Sequence, residues 1–473
     1  LEGKSLQSIQ KALLTGAISM SDLVSRYLSS IDRHRSYNAF VESYDSEIQA
    51  KAERLQKKIR DTPSSLGALF GAVVSLKDNI CYEGHKVSAA SKMLEGYTSP
   101  FSATVVERLL EQDALIIGRT NCDEFSMGSA SDTSFYGPVK NAVNPDYVAG
   151  GSSGGAAVAV ALDQCLISVG SDTGGSIRQP AAFNGVIGFK PSYGMLSRWG
   201  LIAYASSLDQ IGFIGRSCDD IAQILSVTAG PDSYDSTLTV QANTGVVDRT
   251  DWNGSRIGVF ANLCSAERLS NEAYKALKDF LDGPGSTYGR PAPIEFENED
   301  WVVPCYYVIS AAEAASNLAR YDGIRYGYSA EGAFEDYRTQ VRRSRAEAFG
   351  KEVKKRIILG NYVLSEGYYD AYFSKALKVR QHIRAYMSRL LDEFDFILLP
   401  STVGTPWLSA GQQDPLSVYR ADIFTIIANL AGLPSISIPV DNKYGELPLG
   451  IQILAKSNSD QSLIAFAKAL LKA

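Results

Sequence analysis

"AGGSSGGAAVAVALDQCLISVGSDTGGSIRQPA", Ala149 to Ala181, holds two glycine–serine knots, Gly150–Gly155 and Gly174–Ser176, joined by an apolar run. Glycine at this density marks backbone that must come close to something, and each knot has serines inside it. The stretch sits in an alternation of helical and strand patterns. Upstream, "LGALFGAVVSLKDNI" (Leu66–Ile80) is compact and apolar and ends in a polar step, which predicts a buried strand delivering Lys77 and Asp78 at its C-terminal end. "FSATVVERLLEQDALIIGRTN" (Phe101–Asn121) reads as a helix followed by a short strand at Ala114–Gly118. The alternation continues to Asp220 and predicts an α/β layered sheet.

Around this core, "SLQSIQKALLTGAISMSDLVSRYLSSIDRH" (Ser5–His34) carries apolar residues at helical spacing, with Ser21 placed to cap a second helix. The pattern weakens from Gly230 to about Pro304, with "DGPGSTYGRPAP" as the clearest loop. From "AAEAASNLARYDGIRYGY" to "KVRQHIRAYMSRLLDEF" the chain reads as mainly helical. "DFILLPS", "LPSISIPV" and "LPLGIQILA" then return to the core as strands, and an amphipathic helix closes the chain from Asp460 to Ala473.

The bulk numbers narrow the function. A chain of 473 residues with net charge −6 can bury a large core, but it lacks the basic excess that grips nucleic acid unaided. Arg342, Arg343 and Arg345 form a local basic run that reads as a solvated helix face. Six scattered cysteines without a CxxC pair suit buried thiols in a reducing compartment. Three histidines, His34, His85 and His382, with no Cys or His cluster, argue against a zinc site. No apolar run approaches the roughly 18 residues of a membrane span. The first residue is Leu1, as expected where a leader has been removed or the chain trimmed.

"GGSSGG" has three readings: a tight structural loop, a phosphate cradle, or a catalytic loop. The Walker and dinucleotide spacings are absent. Consecutive small residues leave the N–H groups of Thr173 to Ser176 unobstructed, a nest for an oxyanion. A nucleophilic Ser176 needs a base, and no histidine has a motif around it. Lys77, directly after the buried run Val73–Leu76, is where desolvation lowers a lysine toward neutrality. Alone, it reads as a snorkelling strand-end lysine or as half of an ion pair with Asp78.

Together, "SLKDN", "AGGSSGG" and "GSDTGGSIRQPAAFNGVIGFKPSYG" resemble the amidase signature family, whose Lys–cis-Ser–Ser triad has the spacing seen from Lys77 through Ser152 to Ser176. The resemblance implies a single large α/β domain over 1–473, with a mixed central β-sheet covered by helices on both faces. Its parts would be N-terminal helices 1–60, a catalytic core 65–220, a variable segment about 230–304, and a recognition and C-terminal part 305–473. It implies that Ser176 attacks an amide carbon, that Ser152 relays the proton to neutral Lys77, and that the amides of Thr173, Gly174 and Gly175 hold the oxyanion. Asp172 and Arg178 would scaffold the loop; Ser153 would either join the network or pack.

Further motifs, "NCDEFSMGSASDTSFYGPVKN", "FKPSYGMLSRWGLIAYASSLDQIG", "EAASNLARYDGIRYGY", "FGKEVKKRIILGNYVLSEGYYDAY" and "NLAGLPSISIPV", look like the glutaminase (A) subunits of tRNA-dependent amidotransferases. That likeness implies glutamine as substrate, with Arg356 on its α-carboxylate, Asp422 on its α-ammonium, and Tyr307 and Ser126 as further pocket positions. It implies no metal or cofactor on this chain, with ATP and Mg²⁺ on a B-type partner that also binds the misacylated tRNA, with or without a small third subunit. Ala156 stands where a serine is common, Leu263–Pro293 looks short, and the C-terminus stops early. These departures lean toward an organellar member, so the expected compartment is the mitochondrial matrix or the bacterial cytoplasm, not the secretory route. The rival readings are a free-standing amidase for small amides, a non-catalytic assembly partner, and a nitrilase-type hydrolase using Cys81 or Cys165.

Overall fold

The computed structural model describes residues 3–239, 245–247, 249–410 and 421–473. Eleven strands form one mixed sheet: β1 Phe40–Ser43, β2 Val73–Lys77, β3 Leu115–Thr120, β4 Ile167–Asp172, β5 Ile187–Lys190, β6 Gln210–Gly215, β7 Ile257–Phe260, β8 Ala292–Ile294, β9 Phe396–Pro400, β10 Ser435–Val440 and β11 Leu449–Ala455. Their order is β1-β3-β2-β4-β6-β5-β10-β11-β9-β7-β8. β2 runs parallel to both β3 and β4, whereas β6, β5, β10, β11 and β9 continue as antiparallel neighbours. Strands β2, β3 and β4 are buried at every position, their polar side chains included.

Side chains at the C-terminal ends of parallel neighbours converge, and that geometry founds the site. Lys77 ends β2, Ser171 and Asp172 end β4, and Asn121 to Asp123 follow β3. The apolar run between the knots becomes the buried helix Gly154–Ala161 and then β4, so the two knots return to the same sheet edge. The short helix Arg178–Phe183 packs over β5, β10 and β11. One hydrophobic core extends from Leu6 to Leu470, with two small satellite clusters among the described residues.

Two sequence expectations shift. The second helix, Met20–Arg33, is capped by Ser19, not Ser21: the Ser19 hydroxyl accepts from Asp22 N–H at 3.0 Å while the Asp22 carboxylate accepts from Ser19 N–H at 3.1 Å. This reciprocal box begins the helix earlier than the Ser21 reading allowed. The weakly patterned segment also supplies sheet-edge strands: β7 pairs parallel with β9, and β8 with β7. Short edge strands carry too little periodicity to be read. Residues 240–244 and 248 of that segment, and Val418–Arg420 ahead of Asp422, lie outside the described residues.

Candidate functional site

Lys77 is fully buried, and burial pushes its ammonium pKa down. Its Nζ is 2.7 Å from Ser152 Oγ and 3.0 Å from Ser171 Oγ. Ser171 also accepts from Asn79 Nδ2 at 2.8 Å, and Asn79 reaches Ser126 Oγ at 2.9 Å. The lysine therefore faces hydroxyls, with no carboxylate in hydrogen-bond contact among the described residues. Asp78, the pairing partner of the bland reading, turns away to Arg119 at 2.6 Å and to Ser88 and Ala90.

The Gly151–Ser152 peptide is cis. Ser152 carbonyl oxygen accepts from Asp123 N–H at 3.2 Å and from Ser131 Oγ at 3.3 Å. Gly151 N–H donates to Gln179 Oε1 at 2.8 Å, so both sides of the bond are tied. Ser153 bridges the two knots: its N–H donates to Ser176 carbonyl oxygen at 3.0 Å and its hydroxyl to Ser171 carbonyl oxygen at 3.0 Å. Its role is thus bracing.

Around the second knot, the Asp172 carboxylate accepts from Gly175 N–H at 2.8 Å and Ile177 N–H at 3.2 Å, and meets Arg178 at two points. Burial would push the Asp172 carboxyl up, but Arg178 beside it holds it well below the usual range. Arg178, fully buried, also donates to Thr425 carbonyl oxygen, Gln452 and Asn429. The scaffolding expected of this pair is present in full.

The expected set of oxyanion donors needs correction. Gly175 N–H is committed to Asp172, and Thr173 does not line the cavity; its hydroxyl turns to Asp209 at 2.7 Å. Gly174 and Ser176 do line it, so their amides are the candidate donors to an oxyanion. Gly175 keeps φ at +126°, and a Cβ there would collide with the Thr425 hydroxyl. A Cβ on Gly174 would collide with the Tyr306 hydroxyl. The glycines are thus required by what packs on them.

A narrow cavity brings together Ser126, Ser176, Tyr307, Arg356 and Asp422 from the sequence reading. Lys77 and Ser152 stand behind its wall. Tyr307 Oη donates to Asp422 Oδ2 at 2.6 Å. Burial pushes the Asp422 carboxyl up to about 6, against that hydrogen bond and the Arg356 charge. Burial and Asp422 raise the Tyr307 phenol well above its ordinary value, so it remains a donor. Arg356 is anchored by Glu352 at 2.8 Å and by the Tyr204 hydroxyl, with its guanidinium 5.5 Å from the Tyr204 ring and 5.6 Å from the Tyr307 ring. The sequence reading missed Tyr204, Tyr306, Gln179 and Thr425, which also line the cavity, and Ser171 behind it.

The rival centres lie elsewhere. His85 pairs with Glu47 and stacks on Tyr82, His34 meets the Ser30 carbonyl at 3.0 Å, and His382 lies beside Trp301. All six cysteines are buried and unpaired. Arg343 pairs with Glu347, and Arg345 folds onto the Leu318 and Tyr321 carbonyls. Among the described residues, no group of His, Cys, Asp or Glu is arranged to hold a metal ion, and no helix is long and apolar enough to cross a membrane.

The sequence profile of one family, Amidase, matches residues 22–464. The A subunit of glutamyl-tRNA(Gln) amidotransferase from Fusobacterium nucleatum is 42% identical over 472 residues, covering 98% of this chain and 96% of that one. The protein of the same name from Lachnoclostridium phytofermentans is 40% identical over 476 residues, covering 98% and 95%. The crystal structure of the corresponding A subunit from Thermotoga maritima superposes with a TM-score of 0.79 at 33% identity, covering 98% and 94% of the two chains. The peptide amidase of Stenotrophomonas maltophilia superposes with a TM-score of 0.80 at 26% identity, covering 98% and 95%.

Proposed function

This chain belongs to the amidase family, and from that premise we propose that it is the glutamine-hydrolysing subunit of an amidotransferase that converts Glu-tRNA(Gln) or Asp-tRNA(Asn) to its amidated form. One observation carries the reading: Ser176 shares its cavity with the anchored Arg356 guanidinium and the Asp422 carboxylate, while Lys77 meets Ser152 at 2.7 Å. Glutamine has the matching layout, a carboxamide at one end and a zwitterion at the other.

Ser176 Oγ attacks the carboxamide carbon as Ser152 accepts its proton and passes one to neutral Lys77. The tetrahedral oxyanion forms against the Gly174 and Ser176 amides, a stabilisation typically of about 3–4 kcal/mol per donor. The relay then runs in reverse, protonating the leaving nitrogen, which departs as ammonia and leaves a γ-glutamyl ester on Ser176. Water, activated by the same relay, cleaves the ester to glutamate. Burial of Lys77 supports this course, because only an unprotonated amine accepts a proton. Arg356, held in place by Glu352 and Tyr204, suits the α-carboxylate, and Asp422 with Tyr307 suits the α-ammonium.

In this reading the ammonia passes to a B-type partner, which binds the misacylated tRNA and carries ATP and Mg²⁺, with or without a small third subunit. The compartment, mitochondrial matrix or bacterial cytoplasm, belongs to the same proposal; the relatives named above are bacterial. The deciding experiment is ammonia release from glutamine and from a small aliphatic amide. We expect Ser176→Ala to abolish both reactions and Arg356→Ala to abolish only the first. Unchanged glutamine kinetics in Arg356→Ala would favour the free-standing amidase.

A further inference from the structure

Ser126 reaches the glutamine pocket from a three-residue turn, Glu124–Ser126, whose first side chain leads away from the pocket. Glu124 is buried, and its carboxylate accepts at both oxygens. Oε1 accepts from Ser91 Oγ at 2.5 Å, and Oε2 accepts from Gly350 N–H at 2.8 Å. Gly350 is the N-cap of the helix Lys351–Leu364, which carries Arg356. The first N–H groups of a helix have no partner within it. A capping box would satisfy the N-cap N–H from a Glu or Gln at the third helical position, but that position is Val353. Glu124 makes the same bond from across the fold.

Gly350 confirms the fit. Its φ of −69° suits any residue, yet a Cβ there would stand 2.3 Å from Glu124 Oε2. The approach of the carboxylate is what requires glycine. A second contact runs beside the first, because the Phe125 ring meets the Phe349 ring edge-on at 5.7 Å. The first turn seated in this way includes Glu352, which anchors Arg356 at 2.8 Å. On the other side of the turn, Ser126 accepts from Asn79, which also donates to Ser171, the hydroxyl that Lys77 contacts. The turn thus joins the relay side of the site to the helix that bears the guanidinium.

We propose that Glu124 is a positioning residue: by seating the first turn of Lys351–Leu364, it fixes where Arg356 meets the α-carboxylate of glutamine. This rests on the glutamine reading above. Burial pushes the Glu124 carboxyl up to about 7, against the bonds from Ser91 and Gly350 and the charge of Lys354. The seat therefore depends on an oxygen acceptor more than on a full charge. Glu124→Gln keeps that acceptor, and its NH₂ can donate to the Ser91 hydroxyl.

The full chain, purified with whatever subunits accompany it, is assayed on glutamine and on 4-aminobutanamide, which is glutamine without its α-carboxylate. The readout is the ratio of the two kcat/KM values, since damage to the relay lowers both alike and leaves the ratio in place. Glu124→Ala is expected to lower the ratio roughly 10- to 100-fold, mainly through the KM for glutamine, because misplacement by ~1 Å costs ~100-fold. Glu124→Gln should stay within about threefold of the unsubstituted protein. Gly350→Ala drives a Cβ against Oε2 and should also lower the ratio, while adding it to Glu124→Ala should cost little more, as expected of residues in contact. If Glu124→Ala does not fold, Gly350→Ala decides by itself.

An unchanged ratio in Glu124→Ala or Gly350→Ala, or equal losses on both amides, would overturn the proposal. Arg356→Ala separates the two levels. If it lowers the ratio and the other variants do not, only the role of Glu124 falls. If it leaves the ratio unchanged, the glutamine reading falls, and this proposal with it.

Discussion

Replacing Asp422 with Asn keeps the side-chain shape and removes its charge. The carboxylate accepts from Tyr307 at 2.6 Å, and burial raises its pKa to about 6, so above that pH it carries the charge that the proposed ammonium site requires. A hydrogen bond to a charged group contributes about 1.5–3 kcal/mol, and every ~1.4 kcal/mol is tenfold in affinity. Asp422→Asn should therefore raise the KM for glutamine roughly 10- to 150-fold. kcat should stay within a few-fold, because the carboxamide end and the Ser152–Lys77 relay are untouched. In the unsubstituted protein, KM should climb about tenfold per pH unit below ~6 as the carboxylate protonates, and the Asn variant should lose that limb. Stability should move the opposite way. A carboxyl whose folded pKa, about 6, lies above its ordinary 3.8 opposes folding wherever the folded group is ionised. The cost is present above ~6 and absent below ~4, and its ceiling is ~2–3 kcal/mol. Asp422→Asn is thus expected to resist urea better near neutral pH and to show no advantage in acid. Ammonia release against glutamine concentration across pH, with urea unfolding alongside, measures both. An unchanged KM, or a fall in kcat alone, would remove Asp422 from the ammonium site.

Lys77→Arg should lose at least ~10²–10⁴-fold in kcat at every accessible pH, because a guanidinium cannot give up its proton; rescue at high pH would refute the neutral-amine role. Arg178→Met leaves the buried Asp172 carboxylate without its cation and should cost about 3–5 kcal/mol in urea unfolding. Gly175→Ala demands φ of +126° from a residue with a Cβ aimed at Thr425, so it should cut kcat at least tenfold for glutamine and small amides alike. Ser19→Ala removes the cap of Met20–Arg33 and should cost about 1 kcal/mol of stability, with glutamine turnover unchanged.

The chemistry was more legible than the pocket, for a physical reason. Lys77 announces itself because a charged residue ends a buried, mostly apolar run, and the knots announce themselves because collisions with Tyr306 and Thr425 leave only glycine permissible at 174 and 175. Strands β2, β3 and β9 to β11 read as strands because each carries a short cluster of apolar and β-branched residues bounded by turn signals. Tyr204 and Tyr306 gave no such sign. An aromatic in a buried stretch looks like core, and only the fold shows that these hydroxyls meet Arg356 and the cavity. The donor error at Gly175 has a similar origin. Small residues predict that amides are free, but Asp172, three positions upstream, already takes one of them.

The division of the sheet also explains how recognition and chemistry are joined. The parallel strands β3, β2 and β4 deliver the relay and the nucleophile loop, while the helix Ile423–Ala431, which Asp422 precedes, packs against the helices Val302–Asn317 and Lys375–Glu393 and leads into β10 of the antiparallel half. Hydrogen bonds couple them: Arg178 donates to the Thr425 carbonyl at 2.8 Å, the Thr425 hydroxyl donates to the Gly174 carbonyl at 2.7 Å, and Asn429 Nδ2 donates to the Asp172 carboxylate at 3.0 Å. A substrate ammonium that engages Asp422 therefore bears on the first turn of a helix whose next residues grip the oxyanion loop. Positioning of this kind acts through distances of a few tenths of an ångström, and misplacement by ~1 Å costs ~100-fold in rate. Thr425→Val tests the joint. It keeps the shape, removes the bond to Gly174, and should lower kcat for glutamine while leaving KM nearly unchanged. A change confined to KM would mean that the two halves act separately.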